Sequence, residues 1–299
     1  MKHKMSDSWN TSISKRSKKK EYASLFELQT SFLESPCDGI VFSSDHLLTD
    51  QFLELAKEVA TFSSAASHKS TAHSEIIGFG AVSVWRKRRY KNTRMYRVRI
   101  NPSIGCMKPE QILKWIFFIF GRFDGIYIRN IDLKVDIDHH TFSKVAKTCW
   151  APNFRSREKK YKGTIYFGSS TSKRQLVIYD KEQELMKKRK IRLGHTMVRL
   201  EMRLKFYEQK EIPLTSFMNL DFKSLIPFKD VVLIDSPKED FLKTLRGKQS
   251  LGYIENDVYQ TMKAIPNCSR PRIIKELSLK GRVEFISDIF NKQMTKWEA

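Results

Sequence analysis

The sequence predicts an α+β fold: an antiparallel sheet with helices on one face and an open charged face on the other, followed by a mainly helical C-terminal region. Two strands carry this expectation. In IRNIDLKVDIDHH, residues 128–140, Ile131, Leu133, Val135 and Ile137 fall on one side, and Asp132, Lys134, Asp136 and Asp138 on the other. In VRLEMRLKF, Val198, Leu200, Met202, Leu204 and Phe206 alternate with Arg199, Glu201, Arg203 and Lys205. Antiparallel sheets tolerate strands with one greasy and one charged face, whereas parallel sheets are buried on both sides.

The other elements follow in order. Residues 1 to about 22 are polar and basic, with KRSKKK at 15–20, and read as a disordered arm. GIVFSS is a short strand, and Leu48 to Val59 has the three-and-four apolar spacing of a helix. SEIIGFGAVSVW and RMYRVRINP read as two strands joined by the basic turn RKRRYKNTR. Pro109 and Glu110 open a helix that runs through Phe120 and stops at Gly121. After the strand at 126–138 come GTIYFG, RQLVIY and MVRLEMRLKF as further strands, with a helix from about Asp180 to Lys190 before the last. Past about Phe206 the chain breaks into short helical pieces punctuated by prolines, ending in PRIIKELSL and RVEFISDIFNKQ around Lys280–Gly281. These could form a helix-turn-helix, although two packed amphipathic helices are the commoner arrangement. The expected domains are a basic arm (1–35), a catalytic domain (36–206) and a C-terminal helical region (207–299).

Composition narrows the function. The chain has 299 residues and a net charge of +22, with 55 Lys and Arg against 33 Asp and Glu. Self-repulsion on that scale opposes compaction unless a polyanionic partner neutralises it, and nucleic acid is the first expectation. The longest apolar run, ILKWIFFIF, is far too short to span a bilayer, and no apolar stretch follows the basic N-terminus as a signal peptide requires. Four scattered cysteines without a CxxC pair suit reduced thiols in the cytoplasm. There is no GxxxxGK[ST], GxSxG or HExxH motif, which leaves nucleotide hydrolysis, serine esterase and zinc protease chemistry without support.

The acids on the charged faces are the candidates for chemistry. Asp132 or Asp136 could approach Glu201 if the two strands are neighbours, and carboxylates on a polyanion-binding face would call for Mg²⁺ or Mn²⁺ between them and phosphate. Plain ion pairing with nearby cations is the competing account, and pattern alone favours it. Asp132 and Asp136 lie about 13 Å apart along an extended strand, so at most one is expected to touch an ion directly. His139 and His140 adjoin this strand and could add a ligand. Basic stretches with interleaved aromatics, WRKRRYKNTRMYR and NFRSREKKYKG, could grip phosphates and stack on unpaired bases. The candidate DNA contacts are Arg86, Lys87, Arg88, Arg89, Lys134 and Arg203, with Arg270 and Arg272 for recognition in the C-terminal region.

NIDLKVD, then YFGSSTSKRQLVIYDKEQE, then VRLEMRLK resembles the replication initiation factor family. That family includes rolling-circle initiators of staphylococcal-type plasmids and relaxases of some integrative elements. The resemblance covers residues 126–206, and YFGS…IYDKxxE is its most specific piece. It implies that Tyr179 is the nucleophile of a DNA nicking and closing enzyme, and that Asp132, Asp136 and Glu201 carry a Mg²⁺ or Mn²⁺ site. It further implies origin DNA with an unpaired nick site, a homodimer, and host helicase and polymerase as partners. The sequence departs from the family at Ser170 and Val177, where arginine is usual, at Lys134 between the aspartates, and at Arg203 in place of a second acid. A conjugative relaxase with the same chemistry, a non-catalytic DNA-binding protein and an RNA-binding protein are the alternatives, in that order.

Overall fold

The structure is a computed structural model that describes residues 35–59, 61–64, 73–79, 81–87, 94–105, 107–154, 157–161, 163–206, 211–219, 222–234 and 258–298. The basic arm through residue 34 and the candidate contacts Arg88 and Arg89 lie outside the described residues.

Alternating apolar residues build an antiparallel sheet, as the patterning requires. Its strands are β1 (Cys37–Ser44), β2 (Thr61–Ser64), β3 (His73–Phe79), β4 (Val82–Lys87), β5 (Tyr96–Ile100), β6 (Ile126–Asp138), β8 (Arg157–Tyr161), β9 (Thr164–Phe167), β10 (Arg174–Asp180) and β11 (Met197–Lys205). Their order is β2-β3-β4-β5-β1-β6-β11-β10-β9-β8, and a short β12 (Ile212–Pro213) also pairs with β6. A second, three-stranded sheet joins β7 (Cys149–Trp150), β13 (Val232–Ile234) and β14 (Val283–Phe285).

The helices are α1 (Asp50–Val59), α2 (Pro102–Gly105), α3 (Pro109–Phe120), α4 (Phe142–Thr148), α5 (Lys181–Arg189), α6 (Val258–Ala264), α7 (Arg270–Leu279) and α8 (Ile286–Glu298). Gly121 ends α3 at φ 67°, a left-handed turn in which glycine carries no Cβ penalty. α4 packs against β10 and β11, and α8 against β6, so the apolar sides of the central strands are covered. Ile131, Leu133, Val135, Leu200 and Met202 are all buried there.

Three local expectations change. SEIIGFGAVSVW is two strands, β3 and β4, paired antiparallel with Phe79 opposite Val82. Residues 157–161 of the second basic stretch form strand β8, paired with β9. Val283–Phe285 extends along β13, so the last two helices are separated by a strand and do not form a helix-turn-helix. β13 pairs with β7, and the Trp297 indole N–H donates to the Met107 carbonyl at 3.1 Å. One hydrophobic core runs from Cys37 to Trp297.

Candidate active site on the charged sheet face

Strand register brings the predicted residues onto neighbouring strands. Across β6 and β11, Asp132 lies opposite Arg203, Lys134 opposite Glu201, and Asp136 opposite Arg199. Across β11 and β10, Glu201 lies opposite Val177, and Arg199 opposite Tyr179. Every one of these side chains takes the polar side of its strand, since residues two apart share a face. Lys181, Glu184 and Lys188 of α5, with Ser103 of α2, line this same face, and Asp132, Lys134, Arg199 and Glu201 are buried on it.

Tyr179 stands one residue before the end of β10, because Asp180 closes the strand and caps the helix that follows. The Asp180 carboxylate accepts the Gln183 backbone N–H at 2.8 Å, an N-cap, while the Asp180 N–H donates to the Gly163 carbonyl. That fixed corner aims the phenol along β11, where its hydroxyl donates to Glu201 Oε2 at 3.1 Å. Burial pushes the Tyr179 pKa well above that of a free phenol. The Arg199 charge opposes the rise and the Glu201 charge adds to it. The group therefore rests as a neutral phenol against a carboxylate.

Glu201 has a second partner, Arg203 Nε at 2.7 Å. Asp132 is held by Arg99 at 3.0 Å, a contact made across β1. Gly39 permits it, because a Cβ there would sit 2.9 Å from the Arg99 guanidinium and 3.3 Å from the Asp132 carboxylate. Burial, reinforced by the Glu201 charge, raises the Asp132 pKa to about 7.

Asp136 takes a different part. Its two oxygens accept from Arg199 at 2.6 and 2.7 Å, and Arg199 also donates to Asp38 at 2.7 Å. Lys134 lies 3.5 Å from Asp136, and Ser103 donates to Asp38 at 2.7 Å. Burial opposes charge on both acids, but Arg199 and Lys134 outweigh it and hold both pKa values low. Burial and the Arg199 charge lower Lys134 to about 8.

The three expected metal ligands are therefore not gathered together. No group of three or more acid, histidine or cysteine side chains suited to an ion occurs among the described residues. Asp136 is committed to Arg199, as the distance along an extended strand foreshadows. Asp132 and Glu201 remain as a pair. The Glu201 charge acts on Asp132 and each acid has one arginine partner, so of the three expected ligands only this pair fits a cation.

The candidate DNA contacts also divide. Lys134 is 1% exposed and paired, so it cannot reach a strand in solution. Arg270 caps Ile265 and Lys263 carbonyls and lies over Trp150, which commits it to packing. Arg86 is exposed on β4, Arg203 stays partly exposed, and Arg272 is exposed while paired with Glu276. Of Lys87 only the backbone is described, in β4. His139 stands at positive φ beyond β6, with its ring 5.1 Å from that of His195, which pairs with Asp138; His140 meets the Asp138 carbonyl. Sequence reasoning did not single out Asp38, Arg99 or Arg199. Arg99, between Val98 and Ile100, and Arg199, between Val198 and Leu200, each carried the signal of a cation between two apolar strand neighbours.

These residues sit inside a segment with a known signature. Residues 126–231 match the replication initiation factor family model. The matched stretch spans β6 to β11 and so contains Asp132, Tyr179 and Glu201. No curated protein matches the chain in sequence. The solved structure of a rolling circle replication initiator protein from Geobacillus stearothermophilus is similar over 68% of this chain and 87% of its own, at 10% identity and a TM-score of 0.42. Among the described residues, no helix is long and apolar enough to cross a membrane.

Proposed function

We propose that this protein is a cytoplasmic plasmid rolling-circle replication initiator that nicks and rejoins one DNA strand through Tyr179. The observation that carries the reading is the hydrogen bond from the Tyr179 hydroxyl to Glu201, inside the segment that matches the replication initiation factors. A phenol needs activation at neutral pH, and a buried carboxylate at hydrogen-bond distance is placed to take its proton. In the nicking step the Tyr179 oxygen attacks phosphorus as its proton passes to Glu201. The P–O3′ bond breaks, the 5′ phosphate stays on the tyrosine, and the 3′ oxygen leaves, takes a proton from solvent and primes synthesis. Rejoining is the reverse.

Asp132 and Glu201 would hold Mg²⁺ or Mn²⁺, whose chemistry there is to neutralise charge on the non-bridging phosphate oxygens. Arg203 and Arg99 lie beside the same pair and act in the same sense. The substrate strand must be unpaired to reach a site set on a sheet face, so a hairpin origin suits it. Exposed Arg272 is left as the C-terminal candidate for origin recognition. A homodimer would match an inverted-repeat origin, and helicase and polymerase would follow the nick.

The test is incubation of labelled single-stranded oligonucleotides with Mn²⁺, comparing wild type with Tyr179→Phe. A denaturant-stable protein–DNA adduct with wild type alone is expected. Adducts from both proteins would move the nucleophile elsewhere, first to Tyr166, which lies opposite Val177 on β9.

A further inference from the structure

Beside Tyr179 the charged face opens into a pocket of about 220 Å³. Arg199 and Asp38 line it from the sheet, Arg99 stands across from them, and Lys181, Glu184 and Lys188 line it from α5. Four cationic side chains thus meet two acidic ones. Asp38 is already taken by Arg199 and Ser103. That leaves Glu184 as the acid facing the lysines.

The lysines converge on it in a particular way. Lys181 Nζ lies 2.6 Å from Glu184 Oε2, and Lys188 Nζ lies 2.7 Å from Oε1. Each carboxylate oxygen takes one ammonium, the same division that two non-bridging phosphate oxygens would accept. Lys181 Nζ is also 5.8 Å from the centre of the Tyr179 ring, so an anion held here adjoins the phenol. The Lys188 side chain is 71% exposed, and exposed pairs of this kind are weak and readily exchanged.

We propose that this pocket is a phosphate subsite for single-stranded nucleic acid, and that Glu184 is a built-in counter-ion which the incoming phosphate displaces. The proposal rests on the reading of Tyr179 as nucleophile and adds to it where a phosphate flanking the scissile one is held. In the free protein Glu184 holds the two lysines together and offsets part of their charge. On binding, a strand phosphate takes its place, so the carboxylate sets an affinity lower than the lysines alone would give.

The experiment measures binding of a short single-stranded thymidine oligonucleotide in the Tyr179→Phe background, where no covalent step intervenes. Glu184→Gln keeps the shape and removes the charge. It is expected to bind several-fold more tightly, with the slope of log K against log salt steepened by up to about one. Lys188→Gln, at an exposed position that tolerates change, is expected to bind more weakly. Unchanged or weaker binding by Glu184→Gln, at an unaltered melting temperature, overturns the proposal. Inorganic phosphate competing as well as the oligonucleotide also overturns it, by reducing the pocket to a general anion site. Failure of the Tyr179 reading would appear elsewhere, as an adduct that survives Tyr179→Phe.

Discussion

Two clusters share the charged face, built from the same residue types a few ångströms apart, yet they are in opposite electrostatic states. Around Arg199, one guanidinium satisfies Asp38 and both oxygens of Asp136, and both acids have depressed pKa values. Around Glu201, two carboxylates face each other, one phenol donates between β10 and β11, and the pKa values of Asp132 and Tyr179 are raised. The first cluster is closed and gains little from any further partner. In the second, burial and the Glu201 charge outweigh the arginines at Asp132, which is the condition in which a cation or a substrate proton finds a favourable place. Each cluster sets two cations against two acids, so neither acid content nor cation count alone marks a reactive site; burial and the charge of a neighbouring acid make the difference.

The sharpest way to break this contrast is Arg199→Met. It removes the guanidinium shared by two carboxylates, leaving Asp136 to Lys134 and Asp38 to Ser103, and a loss of about 3–5 kcal/mol of stability is expected in denaturant melts. A loss under 1 kcal/mol would mean that the cluster is not the structural one. Glu201→Gln should do the opposite, with melting little changed while adduct formation falls on the order of 10²–10⁴-fold, the range for removing a general base.

Acid titration separates the clusters by sign. Asp38 and Asp136 have folded pKa values below the ordinary 3.8, so their stabilisation is complete above that pH and is lost as pH falls through the folded values. Asp132, raised to about 7, works the other way. Between 3.8 and about 7 the folded state keeps a proton that the unfolded state releases, so stability falls as pH rises through that window. Melting temperatures in chelator should therefore show Asp132→Asn gaining on wild type from pH 4 to 7, and Asp136→Asn losing at neutral pH. The smallest effect expected is that of Asp180→Ala. Loss of the α5 cap should cost about 1 kcal/mol, with a lower rate of adduct formation because the cap sets the corner that aims Tyr179.

The sequence by itself determined the strands and their faces. A period of two in 128–138 and 197–206 admits one burial pattern, and Pro109 and Gly121 bracket α3 as their backbone preferences dictate. It also placed Tyr179 at the end of a strand, with Asp180 as the residue that turns the chain into a helix. Where the signal was short it misled. The strand at 283–285 depends on β13, a pairing partner distant in sequence, which no local period encodes.

The tertiary structure alone decided which acids meet. Register sets Asp136 against Arg199 and leaves Asp132 within reach of the Glu201 charge, and a one-residue slip would have turned every one of these side chains to the other face. Asp38 and Arg99 come from β1 and β5, and Gly39 lets a guanidinium pass across β1 to Asp132. Such contacts are set by strand order, a non-local property, whereas alternation is written along the chain itself.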